Sequence, residues 1–396
     1  MDLIQQWQYN ENVHPELLKD DAFLRAKDIG ITSLQSYVPW ANIEPAPGRF
    51  DFSIYDPLVE KILKHGLGWT PFLISGPSYS TPEWFKESAE SVPARCLEHG
   101  TECGVQSIWN PALGKYIDGF LSAFFGHYGK SGALSSVLLG TSGNWGESIF
   151  PAEGGFIREK HMHVGWWCRD EHALRHFRNK LAEKYSDINA LNSAWGTGHK
   201  DFDAVSFPPP DKKSTIKQKL HNTGYRLLGW LPDEIKSALK SLLSGERFEV
   251  EIGGPQRRWL DFVGWYISSM TEWTELWLST ARKHFKEGPL YIVTGGDGHP
   301  MLGADFFAQA KAASRHNAGL RVTNLTDNYS ESFSLGRPVS SATRFYKTYF
   351  ETEEAARGPG GRIAAEGAAH GGSPQRDHVA VEGARRGDEG PDARLL

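Results

Sequence analysis

The feature that most restricts the fold is a regular alternation of short apolar stretches with longer amphipathic ones. The short stretches end in glycine, proline or polar residues, which is typical of buried β-strands. The longer stretches repeat apolar residues every three or four positions, as helices that pack on one face do. An order in which strands alternate with helices predicts a parallel sheet, either open or closed into a barrel.

The predicted elements extend over most of the chain. Strands are predicted at residues 3–7, 31–38, 67–74, 136–140, 290–293 and 319–324. Helices are predicted at residues 15–29, 56–65, 116–128, 256–285, 305–316 and 337–349. The helix at 256–285 has a stripe of aromatic residues, which is more typical of packing against a barrel than of ligand binding. A chain of 396 residues with 39% hydrophobic residues can bury one large core, so one main domain is expected.

Composition narrows the classes of function. The formal charge of −5 provides no general basic field, so no nucleic-acid partner is expected. Tryptophan, tyrosine and phenylalanine, at 14, 13 and 21 residues, make up 12% of the chain. Flat aromatic faces stack on the apolar faces of sugar rings, which favours a carbohydrate ligand, although an aromatic core would give the same count.

Cysteine usage and the first residues indicate the compartment. Cys96, Cys103 and Cys168 show no CxxC spacing and no evident set of histidine partners, so neither a zinc site nor a disulfide framework is expected. Residues 1–5 lack a signal-peptide pattern, and no apolar run reaches membrane-spanning length. We expect a cytoplasmic protein with no metal, no cofactor and no membrane partner.

The candidate catalytic stretch is SVLLGTSGNWGESIFP, residues 136–151. A short apolar strand breaks there into glycines and presents Asn144, Trp145 and Glu147 at its carboxyl end. Burial of a carboxyl group against an indole raises its pKa, which suits a proton donor. Taken alone, a glutamate in a glycine-rich loop is more often a turn residue or an ion-pair partner.

Two tracts carry a resemblance to a known family. Residues 40–56, WANIEPAPGRFDFSIYD, resemble the signature after the second strand of glycoside hydrolase family 42 β-galactosidases and related clan A barrels. Residues 166–197, which end in DINALNSAWGT, are also similar to family 42. The resemblance implies a (β/α)8 TIM barrel as a catalytic domain over residues 1–354, with an insertion at 155–255 after the fourth strand. Some family members hold zinc through several cysteines near the second tract, but only Cys168 is present here.

The resemblance also implies roles for two carboxylates. Retaining clan A enzymes carry the acid/base glutamate at the end of strand four, which implies that role for Glu147. The clan has asparagine immediately before that glutamate, whereas here Gly146 intervenes and Asn144 lies three residues back. The same segment faintly resembles the Gly-Glu motif of family 14 β-amylases, whose glutamate is likewise a general acid.

The nucleophile of retaining clan A enzymes lies at strand seven, which is predicted around residues 348–353. This implies that Glu353 is the nucleophile, and its neighbours Glu351 and Glu354 remain open. Asp327 and Glu331, which come one strand earlier, are further alternatives.

Predicted sugar contacts lie in the loops that follow the predicted strands, where the ligands of parallel barrels bind. The predicted substrate-binding residues are Trp40, Glu44, Tyr79, Asn110, Asn144, Trp145, Asp297 and Asn324. Three histidines are weaker candidates for contacts with sugar hydroxyl groups and are more often ordinary polar loop residues: His161, His163 and His199.

The composition changes abruptly after Glu354. Residues 355–396 contain no aromatic residue and are rich in glycine, alanine and arginine. Such a segment cannot bury enough apolar surface to offset its ordering entropy, so a disordered or non-native tail is expected. If the tail is non-native, the barrel is incomplete at its last strand.

These observations lead to a first hypothesis and two alternatives. The first hypothesis is a glycosidase that cleaves a β-glycoside, with a β-galactoside as the leading candidate, with retention of configuration through Glu147 and Glu353. The alternatives are an inverting, β-amylase-like α-glucan hydrolase and a non-catalytic, carbohydrate-binding degenerate barrel. Barrels of this kind often associate, so a homo-oligomer remains open.

Overall fold

The computed structural model describes residues 4–6, 19–152, 161–209, 255–295 and 300–322. The strands, in chain order, are β1 (Ile4–Gln6), β2 (Ser33–Pro39), β3 (Gly68–Ile74), β4 (Pro93–Arg95), β5 (Glu102–Gln106), β6 (Val137–Gly140), β7 (Leu290–Thr294) and β8 (Gly319–Val322). Strands β4 and β5 form a separate antiparallel hairpin. The other six form one sheet in the order β1-β2-β3-β6-β7-β8, and every pairing in it is parallel.

Helices follow most strands of this sheet. They are α1 (Asp20–Asp28), α2 (Trp40–Ile43), α3 (Asp56–Lys64), α4 (Glu83–Lys86), α5 (Leu113–Tyr128), α6 (Glu171–Tyr185), α7 (Ile188–Trp195), α8 (Pro255–His284) and α9 (Phe306–Arg315). Three of them begin after an aspartate whose side chain accepts a backbone N–H of the first turn, which stabilises the helix start. These aspartates are Asp170, Asp187 and Asp305.

The predicted alternation and the (β/α)8 barrel class are confirmed. The six strands predicted between residues 3 and 324 are all present, and they form one parallel sheet. The hairpin of β4 and β5 and helices α6 and α7 were not predicted. The expected elements at 337–349 and 348–353 and the tail at 355–396 lie outside the described residues.

Alternate residues of the strands belong to two different apolar clusters. The smaller cluster contains Phe72 and Ile74 of β3 with Leu138 of β6 and Val293 of β7. The residue between the two β3 side chains, Leu73, belongs to the large cluster with the helices. Side chains alternate across a strand, so the smaller cluster is the barrel interior and the larger one lies between sheet and helices.

Helix α8 contributes its aromatic stripe to the larger cluster. The fully or nearly fully buried side chains of this helix include Phe262, Tyr266, Met270, Trp273 and Trp277. The expectation that this stripe packs on the barrel is therefore confirmed. None of the helices within the described part of the chain is both long enough and apolar enough to span a membrane.

Asp261 of α8 joins the insertion to the barrel. Its side chain is only 2% exposed and pairs with Lys184, whose Nζ lies 2.7 Å from Oδ1. Tyr185 and Trp195 both donate hydrogen bonds to Oδ2. Burial alone would raise the pKa of this carboxyl group, but its polar contacts outweigh that effect and lower the pKa.

Replacement of Asp261 by asparagine is expected to lower the free energy of unfolding at pH 7 by about 2–3 kcal/mol, because a buried ion pair loses one partner while Lys184 is half exposed. The folded-state pKa is depressed, so the charge stabilises above the ordinary value of 3.8 and that stabilisation is lost as the pH falls through the folded value. Urea unfolding at several pH values measures this.

The exposed Asp203, in the same insertion, provides the matched control. Asp203→Asn is expected to change stability by less than about 0.5 kcal/mol. Equal losses of unfolding free energy in the two variants would contradict the role given to Asp261. So would a stability difference between Asp261→Asn and the parent that does not become smaller in acid.

Candidate active site

Glu147 follows β6, which is the fourth strand of the parallel sheet counted from β1. Its side chain is half-buried. The carboxyl ends of parallel barrel strands carry the loops in which ligands bind. The predicted position of Glu147 at the end of the fourth strand therefore agrees with the topology.

A tight turn between β6 and Glu147 orients the carboxylate. Thr141 N–H donates to Gly146 O at 2.9 Å, and Gly146 N–H donates to Ser142 O at 3.1 Å. Gly146 has a φ of 112°, which a residue with a side chain adopts only with strain. The turn aims the Trp145 N–H at Glu147 Oε2, with a distance of 3.0 Å.

Glycines at two other positions allow the strand ends to approach closely. A Cβ on Gly140 would lie 2.7 Å from the ring of Phe72, and a Cβ on Gly76 would lie 2.2 Å from Thr141 O. Both distances are shorter than a carbon atom tolerates. The loop that contains Glu147 consequently packs directly against the end of β3.

The residue after Glu147 fixes the loop to two further elements. Ser148 N–H donates to Val293 O of β7 at 2.8 Å, and the Ser148 and Thr141 hydroxyl oxygens lie 2.9 Å apart. The Gln309 amide of α9 donates to Ser148 O at 2.8 Å. Backbone held from both sides in this way keeps a side chain in one position, as proton transfer requires.

An aromatic pair lies beside Glu147. The rings of Tyr79 and Trp145 are 6.3 Å apart between centroids, and the Tyr79 hydroxyl donates to Trp145 O at 3.5 Å. Both side chains are half-buried, so part of each ring faces outward. Tyr79 and Trp145 are thus predicted sugar contacts that lie together at the loop of Glu147.

Asn144 closes the same loop through its amide. Its Nδ2 donates to Ala152 O at 2.7 Å, and its Oδ1 accepts from Ala152 N at 3.1 Å. The side chain is buried. The amide nitrogen can donate one more hydrogen bond and the amide oxygen can accept one more. Contact of Asn144 with a sugar is therefore compatible with these bonds and stays a prediction.

Trp40 and Glu44 lie in the second loop as a buried pair. The Trp40 indole N–H donates to Glu44 Oε2 at 2.7 Å, and Gly48 N–H donates to the other carboxylate oxygen at 2.7 Å. The two residues are 1% and 4% exposed. These bonds hold the loop together, and direct contact of either residue with a sugar stays a prediction.

Asn110 is placed at the start of α5. Its Nδ2 donates to Glu90 O at 2.8 Å, and its Oδ1 accepts from Ala112 N at 3.0 Å. This amide therefore organises the turn into the helix, and its contact with a sugar also stays a prediction. The other predicted site residues lie outside the described residues: Asp297, Asn324, Asp327, Glu331, Glu351, Glu353 and Glu354.

A second polar cluster was missed from the sequence. Cys96, His99, His161 and His163 each offer one donor atom, and these atoms all lie within 4.8 Å of one another. The expectation that no cysteine has a set of histidine partners is therefore wrong, because the fold brings together residues about 65 positions apart. The spacing Cys-x-x-His, read together with His-x-His, was the available signal.

His199, the third histidine considered as a weak sugar contact, has its own surroundings. Its backbone N–H donates to the Asn192 side chain at 2.8 Å, and its carbonyl accepts from the same amide at 2.8 Å. Burial, with the nearby Arg258 charge, lowers the pKa of the His199 imidazole. His199 thus forms part of the turn after α7.

Known families and proteins resemble parts of this chain. A model of the family Glyco_hydro_42, described as β-galactosidase, matches residues 8–110. The thermophilic β-amylase of Thermoanaerobacterium thermosulfurigenes is 23% identical over 245 residues, which cover 57% of this chain and 43% of that protein. The β-galactosidase BbgII of Bifidobacterium bifidum is 23% identical over 298 residues, which cover 70% of this chain and 40% of that protein.

A solved structure matches more of the chain. The catalytic domain of the β-amylase from Paenibacillus polymyxa superposes with a TM-score of 0.65 at 17% identity, covering 93% of this chain and 89% of that one. At that identity the likeness establishes the fold alone, and the chain spans less than half the length of the two relatives above. The chain is thus a TIM barrel of the glycosidase type that resembles the family 42 β-galactosidases and also the β-amylases.

Proposed function

We propose that this protein is a glycoside hydrolase in which Glu147 donates the proton to the leaving group. The observation that carries the proposal is the half-buried carboxylate at the carboxyl end of the fourth parallel strand, in a loop fixed by β3, β7 and α9. The similarity to β-galactosidases and β-amylases supports the same class of reaction.

The geometry around Glu147 suits a general acid. Glu147 Oε2 accepts the Trp145 N–H, and in the proposed mechanism Oε1 carries the proton that is transferred. This proton passes to the glycosidic oxygen as the bond from that oxygen to the anomeric carbon breaks, and the bond's electron pair leaves with the oxygen. The half-exposed rings of Tyr79 and Trp145 stack on the sugar beside the scissile bond.

A second carboxylate decides the stereochemical outcome. In the first candidate mechanism the substrate is a β-glycoside, with a β-galactoside first, and Glu353 attacks the anomeric carbon to form a covalent glycosyl-enzyme. Water, deprotonated by Glu147, then displaces Glu353 from that carbon, and the two inversions together give retention. The family match to residues 8–110 supports this mechanism. Retention requires carboxyl groups about 5–5.5 Å apart, whereas inversion requires about 6.5–9.5 Å to admit a water molecule.

The second candidate mechanism is inverting hydrolysis of an α-glucan. The likeness of the barrel to a β-amylase catalytic domain, with a TM-score of 0.65 against 0.54 for a Bacillus circulans β-galactosidase, favours it. Glu147 keeps the same role in both mechanisms. The domain limits, a cytoplasmic location and homo-oligomer formation stay predictions.

Replacement of Glu147 by glutamine is expected to lower kcat/KM by about 10²–10⁴-fold, because the amide cannot donate the proton at the transition state. The loss should be greatest for substrates with basic leaving groups and small for nitrophenyl glycosides, whose leaving oxygen needs little protonation. Nitrophenyl β-galactosides, lactose and maltooligosaccharides are assayed in parallel.

The exposed Glu171 provides the matched control, and Glu171→Gln is expected to keep parental activity. Equal activity of Glu147→Gln and the parent towards lactose or maltooligosaccharides, whichever the parent hydrolyses, would overturn the role of Glu147. A parent that hydrolyses none of these substrates but binds one of them would instead support the non-catalytic, carbohydrate-binding alternative.

The product anomer separates the two mechanisms. For the retaining mechanism, proton NMR during hydrolysis of a nitrophenyl β-galactoside shows the β-anomer first, and an activated 2-fluoro galactoside leaves a covalent adduct on Glu353. For the inverting mechanism, maltooligosaccharides release the β-anomer from an α-linkage and no adduct forms. An adduct on Glu351, Glu354, Asp327 or Glu331 would reassign the nucleophile.

A further inference from the structure

Two short segments place four side chains with metal-binding donors at one point. Cys96 and His99 lie in the turn between β4 and β5, which closes at Gly100 with a φ of 69°. His161 and His163 lie in the segment that leads towards α6. Cys96 is fully buried, and the histidines are half-buried or exposed, so an ion can reach the cluster from solvent.

Three of the distances between donor atoms are close to those of a tetrahedral zinc site, and all donor atoms lie within 4.8 Å of one another. Zn–N bonds of about 2.0–2.1 Å and a Zn–S bond of about 2.3 Å place tetrahedral donors about 3.3–3.6 Å apart. His99 Nδ1 lies 3.3 Å from His163 Nε2 and 3.5 Å from Cys96 Sγ. Cys96 Sγ lies 3.1 Å from His161 Nε2, within about 0.5 Å of the same value.

We propose that Cys96, His99, His161 and His163 bind one zinc ion. Four protein donors complete the tetrahedron and leave no position for a substrate or a reactive water, so the site is structural. The ligand set is one thiolate and three imidazoles, and it does not include Cys168. It differs from the several-cysteine zinc site of some family 42 members.

The surroundings of His163 prepare it as a ligand. Its Nδ1 lies 3.0 Å from Val164 O, so this nitrogen carries the proton and Nε2 presents its lone pair to the other donors. A Cβ on Gly165 would lie 2.4 Å from the His163 ring, so glycine is required for this orientation. Trp167 donates from its indole N–H to His163 O at 3.1 Å and stabilises the same turn.

The charge around the cluster also suits a divalent cation. Zinc with one thiolate and three neutral imidazoles carries a net charge of +1. The carboxyl group of Glu98, in the same turn as the two hairpin ligands, accepts a hydrogen bond from Trp166 N–H at 2.9 Å through Oε1. Its buried Oε2 has no hydrogen-bond partner within the described residues. A cation beside Glu98 balances this buried carboxylate.

The ion connects the hairpin with the segment that supports the active-site loop. Leu97 N–H donates to Trp166 O at 2.7 Å beside the cluster. Tyr266 of α8 donates to Gly165 O at 3.1 Å, and its ring stacks on Phe150 at a centroid distance of 3.8 Å. Phe150 lies three residues after Glu147. Zinc therefore stabilises this part of the barrel whatever the substrate is.

Metal content of the untagged full chain tests the proposal. After dialysis against Zn²⁺ and then metal-free buffer, elemental analysis is expected to find one zinc per chain. Co²⁺ in place of zinc is expected to give the intense visible absorption of a four-coordinate ion with a thiolate charge-transfer band. Cys96→Ser and His163→Ala are expected to lower metal content at least about 10-fold.

Two control variants remove similar side chains from outside the cluster. Cys103→Ser changes a buried thiol of the same hairpin, and His172→Ala removes a histidine of α6; both are expected to keep one zinc. If the Cys96 variant does not fold, the parent protein is treated with a chelator instead. Its Tm is expected to fall when the metal is removed, and to recover when Zn²⁺ is added but not when Mg²⁺ is added. A parent protein without zinc, a six-coordinate Co²⁺ spectrum, or full zinc content in Cys96→Ser would overturn the site.

These measurements do not depend on hydrolysis. A zinc-loaded protein without glycosidase activity would leave the metal site intact and contradict only the proposed function. An active protein that binds no zinc would contradict the metal site and leave the proposed function intact.

Discussion

The contact between Phe72 and the glycines of the fourth loop controls the candidate active site. Phe72 fills the barrel interior between β3 and β6, and a Cβ on Gly140 or Gly146 would lie within 2.8 Å of its ring. Only a backbone without side chains can pass so close to a phenylalanine. The chain therefore turns sharply after β6, and Glu147 comes to lie at the strand end.

The parts of the fold that follow from local periodicity could be predicted from the sequence. Most strands of the parallel sheet are short, largely apolar runs, and the strand count placed Glu147 on the fourth strand. The roles of Trp40 and Glu44 could not be obtained in this way. Both are predicted sugar contacts in a polar loop, and in the fold each also satisfies a buried polar atom of the other. This pairing depends on the conformation of the loop, so it does not follow from the periodicity of the sequence.

The cluster of Cys96, His99, His161 and His163 illustrates the same limit over a longer range. Cys96 and His161 are far apart in the sequence and belong to different loops, so neither spacing alone indicates a site. The fold brings them together because the segment before α6 runs beside the β4–β5 hairpin, with Arg169 N–H donating to Arg95 O at 2.9 Å. The pattern in the sequence that indicates such a cluster is two pairs of closely spaced ligands, with one pair in each segment.

The insertion is attached to the barrel at two places with different chemistry. Near one end of α8, the almost fully buried carboxylate of Asp261 forms an ion pair with a lysine and accepts hydrogen bonds from a tyrosine and a tryptophan. Tyr266 lies about one and a half helical turns further on. Its hydroxyl group accepts a hydrogen bond from Trp167 N–H and donates one to Gly165 O, in the segment that follows His161 and His163. The first attachment weakens as acid protonates Asp261, whose pKa in the folded protein lies below its ordinary value. The second attachment consists of hydrogen bonds to backbone groups and a ring stack on Phe150, so it does not depend on the charge of a carboxylate.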